Sequence, residues 1–174
     1  PELMESIIAE GRADIVALAR PLLADPELPN KLKAGRDDLI YPCLRCMACI
    51  SESFVPYVRH CSRIRRCPAN PTAYKEIPAS QVKKTDEPKR VLVIGGGVAG
   101  METARVCNLR GHHVTLLEKS DKLGGSLIPG GMPSFKRYDH KLVAWYGAEL
   151  KRLGVDVQKN TSATAELMKD DKWD

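Results

Sequence analysis

Five of the six cysteines lie in one short part of the sequence, and thiols at this density can bind a metal ion or an iron–sulfur cluster. The stretch is YPCLRCMACISESFVPYVRHCSRIRRCPANP, residues 41–71, and its cysteines are Cys43, Cys46, Cys49, Cys61 and Cys67. The first three follow Cys-x2-Cys-x2-Cys spacing, which turns three thiolates toward one point. This spacing is typical of a [4Fe–4S] cluster whose fourth ligand is a remote cysteine.

Other uses of clustered cysteines are less consistent with this segment. Structural zinc sites usually draw their ligands from two separated pairs, whereas this segment starts with a triple. Disulfides form in oxidising compartments, and nothing in the sequence indicates export. Inert buried thiols would need large apolar neighbours, in which the segment is poor. The cluster is therefore the preferred interpretation, and a zinc site is its alternative.

Two cysteines compete for the fourth position of the cluster. Cys61 lies closer to the triple in sequence, whereas Cys67 precedes Pro68. The remote ligand of bacterial ferredoxins is also followed by proline, which fixes the backbone φ and removes an N–H group. Spacing alone leaves both cysteines open.

A glycine-rich turn predicts a dinucleotide-binding site further along the chain. Residues 95–100, GGGVAG, satisfy G-x-G-x-x-G, follow the strand-like RVLVI and open a helical pattern. The first glycine allows a tight turn, the second lets the backbone approach a pyrophosphate, and the third lets helix and strand pack closely. The helix N-terminus offers N–H groups to the phosphates. The predicted cofactor contacts are Gly95, Gly97, Val98, Ala99 and Gly100.

An acidic residue after the second predicted strand indicates which ribose would bind. Glu118 ends the run VTLLE, where its carboxylate can accept hydrogen bonds from ribose hydroxyls. A free 2′-hydroxyl indicates FAD, NAD or ADP rather than NADP. Lys119, the next residue, is assigned to the same site.

These chemical groups need regular elements to hold them, and residues 89–174 predict an α/β fold. Strand, helix and strand follow one another, and Met101, Ala104 and Cys107 lie on the helix face toward the sheet. Cys107 is therefore expected to be a buried structural residue. A second amphipathic helix precedes Gly154 and the strand VDVQ, and its apolar face contains Leu142, Tyr146, Leu150 and Leu153.

The first forty residues predict helix, strand and helix, the order found in an α/β barrel or a doubly wound sheet. Residues 1–12 carry a helical apolar stripe. The apolar run DIVALAR, residues 14–20, predicts a strand buried on both faces. Asp25 is expected to cap a helix that starts at Pro26 and stops at Gly35.

Composition and charge exclude several classes of protein. The chain has 174 residues, a formal net charge of +5 and no apolar run long enough to span a membrane. Few aromatic residues accompany the basic ones and no nucleic-acid-binding motif is found, so we expect a solvated basic surface and no nucleic-acid partner. The sequence starts without Met or a secretory signal and stops abruptly, so we expect part of a longer cytoplasmic protein.

Taken in order, the motifs resemble the multidomain NADH:flavin oxidoreductases of the old yellow enzyme superfamily, such as 2,4-dienoyl-CoA reductase, 2-enoate reductase and trimethylamine dehydrogenase. ADIVALARPLLADPELPNKLKAGR is similar to the last strand and helix of their FMN-binding (β/α)8 barrel. CLRCMAC with CPANP is similar to their cluster segment, and KRVLVIGGGVAGMETARV with GHHVTLLEKSDKLGGSL to the start of their FAD or ADP domain. The implied domains are residues 1–40, 41–88 and 89–174.

The resemblance also assigns individual residues. Arg20 corresponds to the arginine that binds the FMN phosphate at the end of the barrel, and Gly124 and Gly125 correspond to further dinucleotide contacts. The implied cofactors are a [4Fe–4S] cluster, FMN, and FAD or ADP, with NADH as the electron donor. The implied cluster ligands, with Cys61 as the alternative to the last of them, are Cys43, Cys46, Cys49 and Cys67.

The activity implied by the resemblance is an electron relay. Electrons from NADH reach FAD, pass singly through the cluster to FMN, and reduce the activated C=C bond of a small-molecule substrate. An amine dehydrogenase with ADP in place of FAD is the first alternative, and a zinc-stapled nucleotide-binding module is the second. No catalytic residue is expected within this sequence, and any homo-oligomer would form through regions outside it.

Overall fold

The computed structural model describes residues 2–50, 66–75, 83–169 and 173–174. The contacts of the chain divide it into two compact units, residues 1–76 and residues 77–174. The three-part division expected from the sequence, with boundaries after residues 40 and 88, stays a prediction.

Within residues 2–40, the structure contains three short helices: α1, Glu2–Ala9; α2, Arg20–Ala24; and α3, Leu28–Lys33. A 3-10 turn at Asp37–Leu39 follows them. Gly35 lies just beyond α3 with φ of +64°. A glycine in this left-handed conformation commonly ends a helix, so the predicted stop is confirmed.

The predicted start of α3 is wrong by two residues. The helix begins at Leu28 rather than at Pro26, which lies in a turn. The Asp25 side chain nevertheless accepts a hydrogen bond from the Glu27 N–H at 3.1 Å. Asp25 thus stabilises the turn that leads into the helix instead of capping the helix itself.

The strand predicted over residues 14–20 is also wrong. Residues 14–19 form neither strand nor helix, α2 begins at Arg20, and Ile15 is 82% exposed. A strand needs a neighbour for its backbone hydrogen bonds, and none of the described residues of the first unit forms one. The barrel end expected from the sequence is therefore not confirmed.

A parallel sheet organises the second unit, and its described strands are β1, Arg90–Ile94; β2, His113–Leu117; and β3, Asp156–Gln158. Their order is β1-β2-β3, with Val93 opposite Leu116. Parallel neighbours require crossover connections, which helices provide. The helices are α4, Val98–Leu109; α5, Leu127–Gly130; α6, Tyr138–Arg152; and α7, Ala165–Met168.

The core of the second unit lies between the sheet and the helices α4 and α6. Met101 and Ala104 of α4 are completely buried, as are Leu116 of β2 and Leu150 of α6. Gly154 follows α6 with φ of +73° and leads into β3. The α/β order and the two amphipathic helix faces predicted from the sequence are confirmed, but Cys107, expected to be buried, and Leu153 are only half-buried.

No helix within the described ranges has both the length and the apolar character that a membrane span requires.

Candidate functional site

The glycine-rich turn joins β1 to α4 and requires glycine at its first and last positions. Gly95 has φ of +99°, a conformation that side chains rarely allow. Its N–H donates to the Leu117 carbonyl oxygen at 2.8 Å, which ties the turn to β2. A Cβ atom on Gly100 would overlap the carbonyl oxygen of Gly95. Glycine at position 100 therefore lets α4 start directly against the turn.

Gly97 leaves an open surface at the N-terminus of α4. It is the N-cap residue of that helix, and no side chain in the described part of the chain caps it. A Cβ atom on Gly97 would meet no atom within 4 Å. The first-turn amides, including those of Val98 and Ala99, thus lie at the positive end of the helix dipole, beside a backbone without side chains. This arrangement fits the pyrophosphate of a dinucleotide.

A second pair of glycines lies against the first turn. The Gly124 N–H donates to the Gly96 carbonyl oxygen at 2.8 Å. A Cβ atom on Gly125 would lie 3.1 Å from the Gly97 Cα atom, so larger residues would crowd the turn. We call the surface formed by residues 95–97, Gly100, Gly124 and Gly125 the glycine cradle.

Glu118 follows β2 and is held against the glycine cradle. It is 8% exposed. Its Oε2 atom accepts a hydrogen bond from the Gly96 N–H at 2.7 Å, and its Oε1 atom accepts from the Ser120 N–H and hydroxyl, both at 2.8 Å. The bond from the Ser120 N–H, followed by those from the Gly96 N–H and the Ser120 hydroxyl, lowers the pKa of Glu118 below its ordinary value of 4.5. The carboxylate is therefore ionised and fixed in direction.

The structure brings the predicted dinucleotide residues to one end of the sheet. Gly95, Gly97 and the first turn of α4 lie at the end of β1, and Glu118 lies at the end of the neighbouring β2. Lys119 is exposed beside Glu118 and contributes to the lowered pKa of that carboxyl group. Ligands of open α/β sheets bind outside the carboxyl ends of the strands, which is where these residues are.

The cysteine loop contains two residues in a backbone conformation that disfavours side chains. Arg45 has φ of +56° and Met47 has φ of +63°. Each such residue outside glycine costs about 1–2 kcal/mol. Strain of this kind is found mainly where function imposes it. Here it lies between Cys43 and Cys49, in the loop that turns three thiols together.

The thiol of Cys67 acts electrostatically on the thiol of Cys49 although the two are remote in sequence. Burial raises the pKa of the Cys49 thiol, a backbone hydrogen bond opposes this, and the thiols of Cys67, Cys43 and Cys46 raise it further. Like charges would repel in such a group, and bound iron would offset that repulsion. In kind and number, these four cysteines match the donor set of an iron–sulfur cluster.

Two further observations bear on the cysteines. Cys61, the alternative fourth ligand, lies outside the described residues, so the choice between it and Cys67 stays a prediction. The described cysteines form no disulfide. Within the described ranges, no three cysteine, histidine or carboxylate side chains converge closely enough to hold a single metal ion.

Arg20 lies at the first position of α2 and reaches the cysteine loop. Its Nη1 atom donates to the Met47 Sδ atom at 2.8 Å. The described residues include no other predicted FMN contact, so the assignment of Arg20 to the FMN phosphate stays a prediction.

Comparison with known proteins identifies the second unit. Residues 77–172, more than half of the chain, match the pyridine nucleotide-disulphide oxidoreductase family. The chain belongs to this family.

Other relatives extend the similarity over almost the whole sequence of this pyridine nucleotide-disulphide oxidoreductase. Cinnamate reductase of Clostridium sporogenes is 44% identical over 170 residues, which are 98% of this chain and 25% of that protein. The structure of 2-naphthoyl-CoA reductase with 2-naphthoyl-CoA has a TM-score of 0.87 and 36% identity, covering 97% of this chain and 25% of that one. Histamine dehydrogenase from Rhizobium sp. 4-9 has a TM-score of 0.84 and 29% identity, covering 97% and 24%.

The chain thus spans about a quarter of the length of the relatives it matches. The sequence-based resemblance to iron–sulfur flavoenzymes of the old yellow enzyme superfamily is confirmed, as is the assignment to the oxidoreductases.

Sequence reasoning missed the residues that orient Glu118, the predicted ribose acceptor. Ser120 and Gly96 orient the Glu118 carboxylate. Ser120 could have been found, because a serine two residues after an acidic residue commonly forms such local bonds. Gly96 was treated as the variable position of the motif, and nothing in the sequence alone indicates that its N–H faces a carboxylate.

Proposed function

We propose that this chain is the electron-transfer part of an NADH-dependent iron–sulfur flavoenzyme that reduces an activated C=C bond. In this proposal a [4Fe–4S] cluster binds to Cys43, Cys46, Cys49 and Cys67, and the glycine cradle binds FAD. When bound, the cluster supplies transfer of single electrons between two flavins, which a hydride carrier cannot provide. The chain itself provides the ligands, the phosphate-binding backbone and the ribose acceptor.

One observation carries the proposal: the cysteine loop and the Cys67 segment both contact helix α2, through the Arg20–Met47 and Asn70–Leu23 hydrogen bonds, in a chain whose second unit carries an open dinucleotide cradle. The thiols supply the ligands that iron–sulfur clusters use. The open face of Gly97 and the first-turn amides of α4 supply what a pyrophosphate needs. The reductases related to this chain over 97% or more of its length support the same combination.

Glu118 gives the proposed site its preference for an unphosphorylated ribose. Its carboxylate is fixed and ionised, and its Oε2 atom, which accepts a single bond within the described part of the chain, can accept a further bond from a 2′- or 3′-hydroxyl. A 2′-phosphate would place a second anion beside this carboxylate. The cradle would therefore select FAD, NAD or ADP against a 2′-phosphorylated nucleotide.

An amine dehydrogenase is the second candidate function. Its support is the similarity to histamine dehydrogenase, which covers nearly the whole chain. In that case the glycine cradle would bind ADP, because the adenosine and pyrophosphate contacts are the same. Extraction of the nucleotides from the full-length protein distinguishes the two: FMN with FAD indicates the reductase, and one flavin with ADP indicates the dehydrogenase.

The test uses full-length protein purified without air. Iron and acid-labile sulfide are measured in the wild type and in the variants Cys67→Ser, Cys61→Ser and Cys107→Ser. We expect wild type, Cys61→Ser and Cys107→Ser to contain both, and Cys67→Ser to lose most of its cluster, because one of four ligands is gone. Cys107 is the matched control, since it lies in α4 of the second unit and is not one of the proposed ligands. Colourless wild-type protein with stoichiometric zinc would contradict the proposal.

A further inference from the structure

Two buried polar side chains fasten the two cysteine segments to helix α2. Asp25, immediately after α2, is 4% exposed, and Asn70, three residues after Cys67, is 6% exposed. Polar side chains at this depth cost free energy unless their hydrogen bonds are made. Both make theirs to backbone atoms that are distant in sequence.

Asp25 holds the beginning of the cysteine loop. Its Oδ2 atom accepts from the Tyr41 N–H at 2.8 Å and from the Lys31 ammonium at 2.6 Å. The same ammonium donates to the Leu39 carbonyl oxygen at 3.0 Å. The backbone is therefore held at Leu39 and at Tyr41, and Tyr41 lies two residues before Cys43.

Asn70 holds the segment that carries Cys67. Its Nδ2 group donates to the Leu23 carbonyl oxygen of α2 at 3.0 Å. Its Oδ1 atom accepts from the Thr72 N–H at 2.9 Å and from the Thr72 hydroxyl at 2.7 Å. One end of the amide thus shapes the turn after Cys67, while the other end ties that turn to α2.

Both side chains lie at buried positions of the first unit. Asp25 is flanked in sequence by buried Ala24 and Leu28, and Asn70 by buried Ala69 and Ala73. At such positions, removing one partner of a hydrogen bond leaves the other poorly satisfied.

We propose that Asp25 and Asn70 are the positioning residues of the cysteine site: through Tyr41 N–H and Leu23 C=O they hold the Cys43 segment and the Cys67 segment at the same helix, α2, as binding of one cluster by both segments requires. The proposal rests on the proposed function in one respect, that the gathered thiols bind a cluster. Neither side chain is a ligand. Each reduces the conformational freedom of a loop that the cluster would otherwise have to order.

The test compares variants that change a single polar group of Asp25 or of Asn70, the two anchors of the cysteine segments. Asp25→Asn keeps the shape of the side chain but replaces an acceptor with a donor. Asn70→Asp keeps the acceptor for Thr72 and removes only the donor to Leu23. Asp38→Asn is the matched control, because Asp38 forms an exposed ion pair with Arg36 in the same unit.

In full-length protein prepared without air, we measure iron and sulfide per chain and the rate at which a chelator removes iron. Because loss of groups that orient ligands typically weakens metal binding by about 10–100-fold, we expect both variants to release iron at least about tenfold faster than wild type and Asp38→Asn. ADP affinity at the second unit should not change, which distinguishes this effect from general misfolding. Wild-type iron content and release rate in both variants would overturn the proposal.

A second measurement keeps the inference independent of the cluster. Metal-free protein is treated with a short bis-maleimide, which forms a thioether with each of two neighbouring thiols, and the linked cysteines are identified by mass spectrometry. Wild type should link Cys43 to Cys67, and both anchor variants should lose most of this product. If wild type holds no iron, the proposed function fails while this result still decides the role of the anchors: equal cross-linking in all variants would refute it.

Discussion

Two residues of the glycine cradle lack a side chain for different reasons, one for packing and one for binding. Gly100 faces the backbone of Gly95, so its lack of a side chain serves packing. Gly97 faces open space, so its lack of a side chain serves no contact within the described chain. Its φ of −71° is also one that any residue can adopt. Glycine at such a position is what the close approach of a dinucleotide to the backbone would require.

We accordingly expect Gly97→Ala to fold normally and to bind dinucleotide poorly. The added methyl group meets no protein atom but occupies the surface where the pyrophosphate would lie. ADP affinity measured by calorimetry should fall at least about tenfold, a loss of about 1.4 kcal/mol. The thermal unfolding temperature should stay close to that of wild type.

Gly147→Ala in α6 is the matched control for this variant. A Cβ atom at Gly147 would also meet nothing within 4 Å, but the residue lies within α6 and is not part of the glycine cradle. Alanine in a helix is favoured over glycine by about 0.5–1 kcal/mol, so this variant should gain stability and keep its ADP affinity. Equal ADP affinity in both variants would show that the open face of Gly97 does not bind the nucleotide.

The lowered pKa of Glu118 predicts that the stability of the second unit depends on pH in the acidic range. Hydrogen bonds hold the folded-state pKa of Glu118 below its ordinary value of 4.5. The stability that they contribute is therefore complete above pH 4.5 and is lost as pH falls through the lower folded-state pKa. Glu118→Gln should unfold more easily in urea than wild type at neutral pH, and the difference should shrink below pH 4.5.

Glu87→Gln is the control for the pH experiment, because Glu87 is an exposed carboxylate of the same unit. It should follow the wild-type dependence of unfolding free energy on pH. If the difference in unfolding free energy between Glu118→Gln and wild type stays constant from neutral to acidic pH, the bonds from Ser120 and Gly96 do not depend on the charge of Glu118.

At the scale of secondary-structure elements, the sequence predicted local arrangements well and distant ones poorly. The β1–turn–α4 unit depends on a few adjacent glycines, and the buried faces of α4 and α6 follow from apolar spacing. Residues 14–20 have the composition of a buried strand, yet strand formation depends on a partner that composition cannot supply. The contacts of Asp25 with Tyr41 and of Asn70 with Leu23 join segments far apart in sequence, and no local sequence pattern predicts them.

The packing of α6 on α4 includes a polar contact whose strength can be measured. The hydroxyl group of Tyr146, which is 2% exposed, donates to the Glu102 Oε2 atom at 3.1 Å. The same oxygen accepts from Arg105 Nε at 2.8 Å, so the carboxyl group is held by an ion pair as well as by Tyr146. Hydrogen bonds to charged groups contribute about 1.5–3 kcal/mol.

Tyr146→Phe should therefore lower the unfolding free energy of the protein by about 1.5–3 kcal/mol. A double-mutant cycle with Glu102→Gln, followed by urea unfolding, isolates the contact from other effects of each change. The two changes should be clearly non-additive, because each alone already weakens the same bond. Strict additivity would mean that the two helices are held together by apolar packing alone.

At the scale of the whole chain, the two units would be stabilised by different ligands. The first would be ordered by the cluster at the cysteine site, and the second by a dinucleotide at the glycine cradle. A ligand that binds only the folded state adds RT ln(1 + [L]/Kd), which is about 2.7 kcal/mol at a hundredfold excess over Kd. This added stability should appear as slower hydrogen exchange in the unit that binds the ligand.

Hydrogen exchange of the full-length protein tests this division. ADP at saturating concentration should slow exchange at residues 95–100 and at Gly124 and Gly125, because their amides lie in or beside the cradle. Removal of iron should speed exchange at residues 41–50, where the loop holds two strained residues and would lose the ligand that orders it. NADP offered in place of ADP should protect the cradle less, because its 2′-phosphate faces the ionised Glu118. If iron removal instead loosened residues 95–100 as strongly as residues 41–50, the two sites would be coupled in stability, and cluster binding would regulate dinucleotide binding as well as carry electrons.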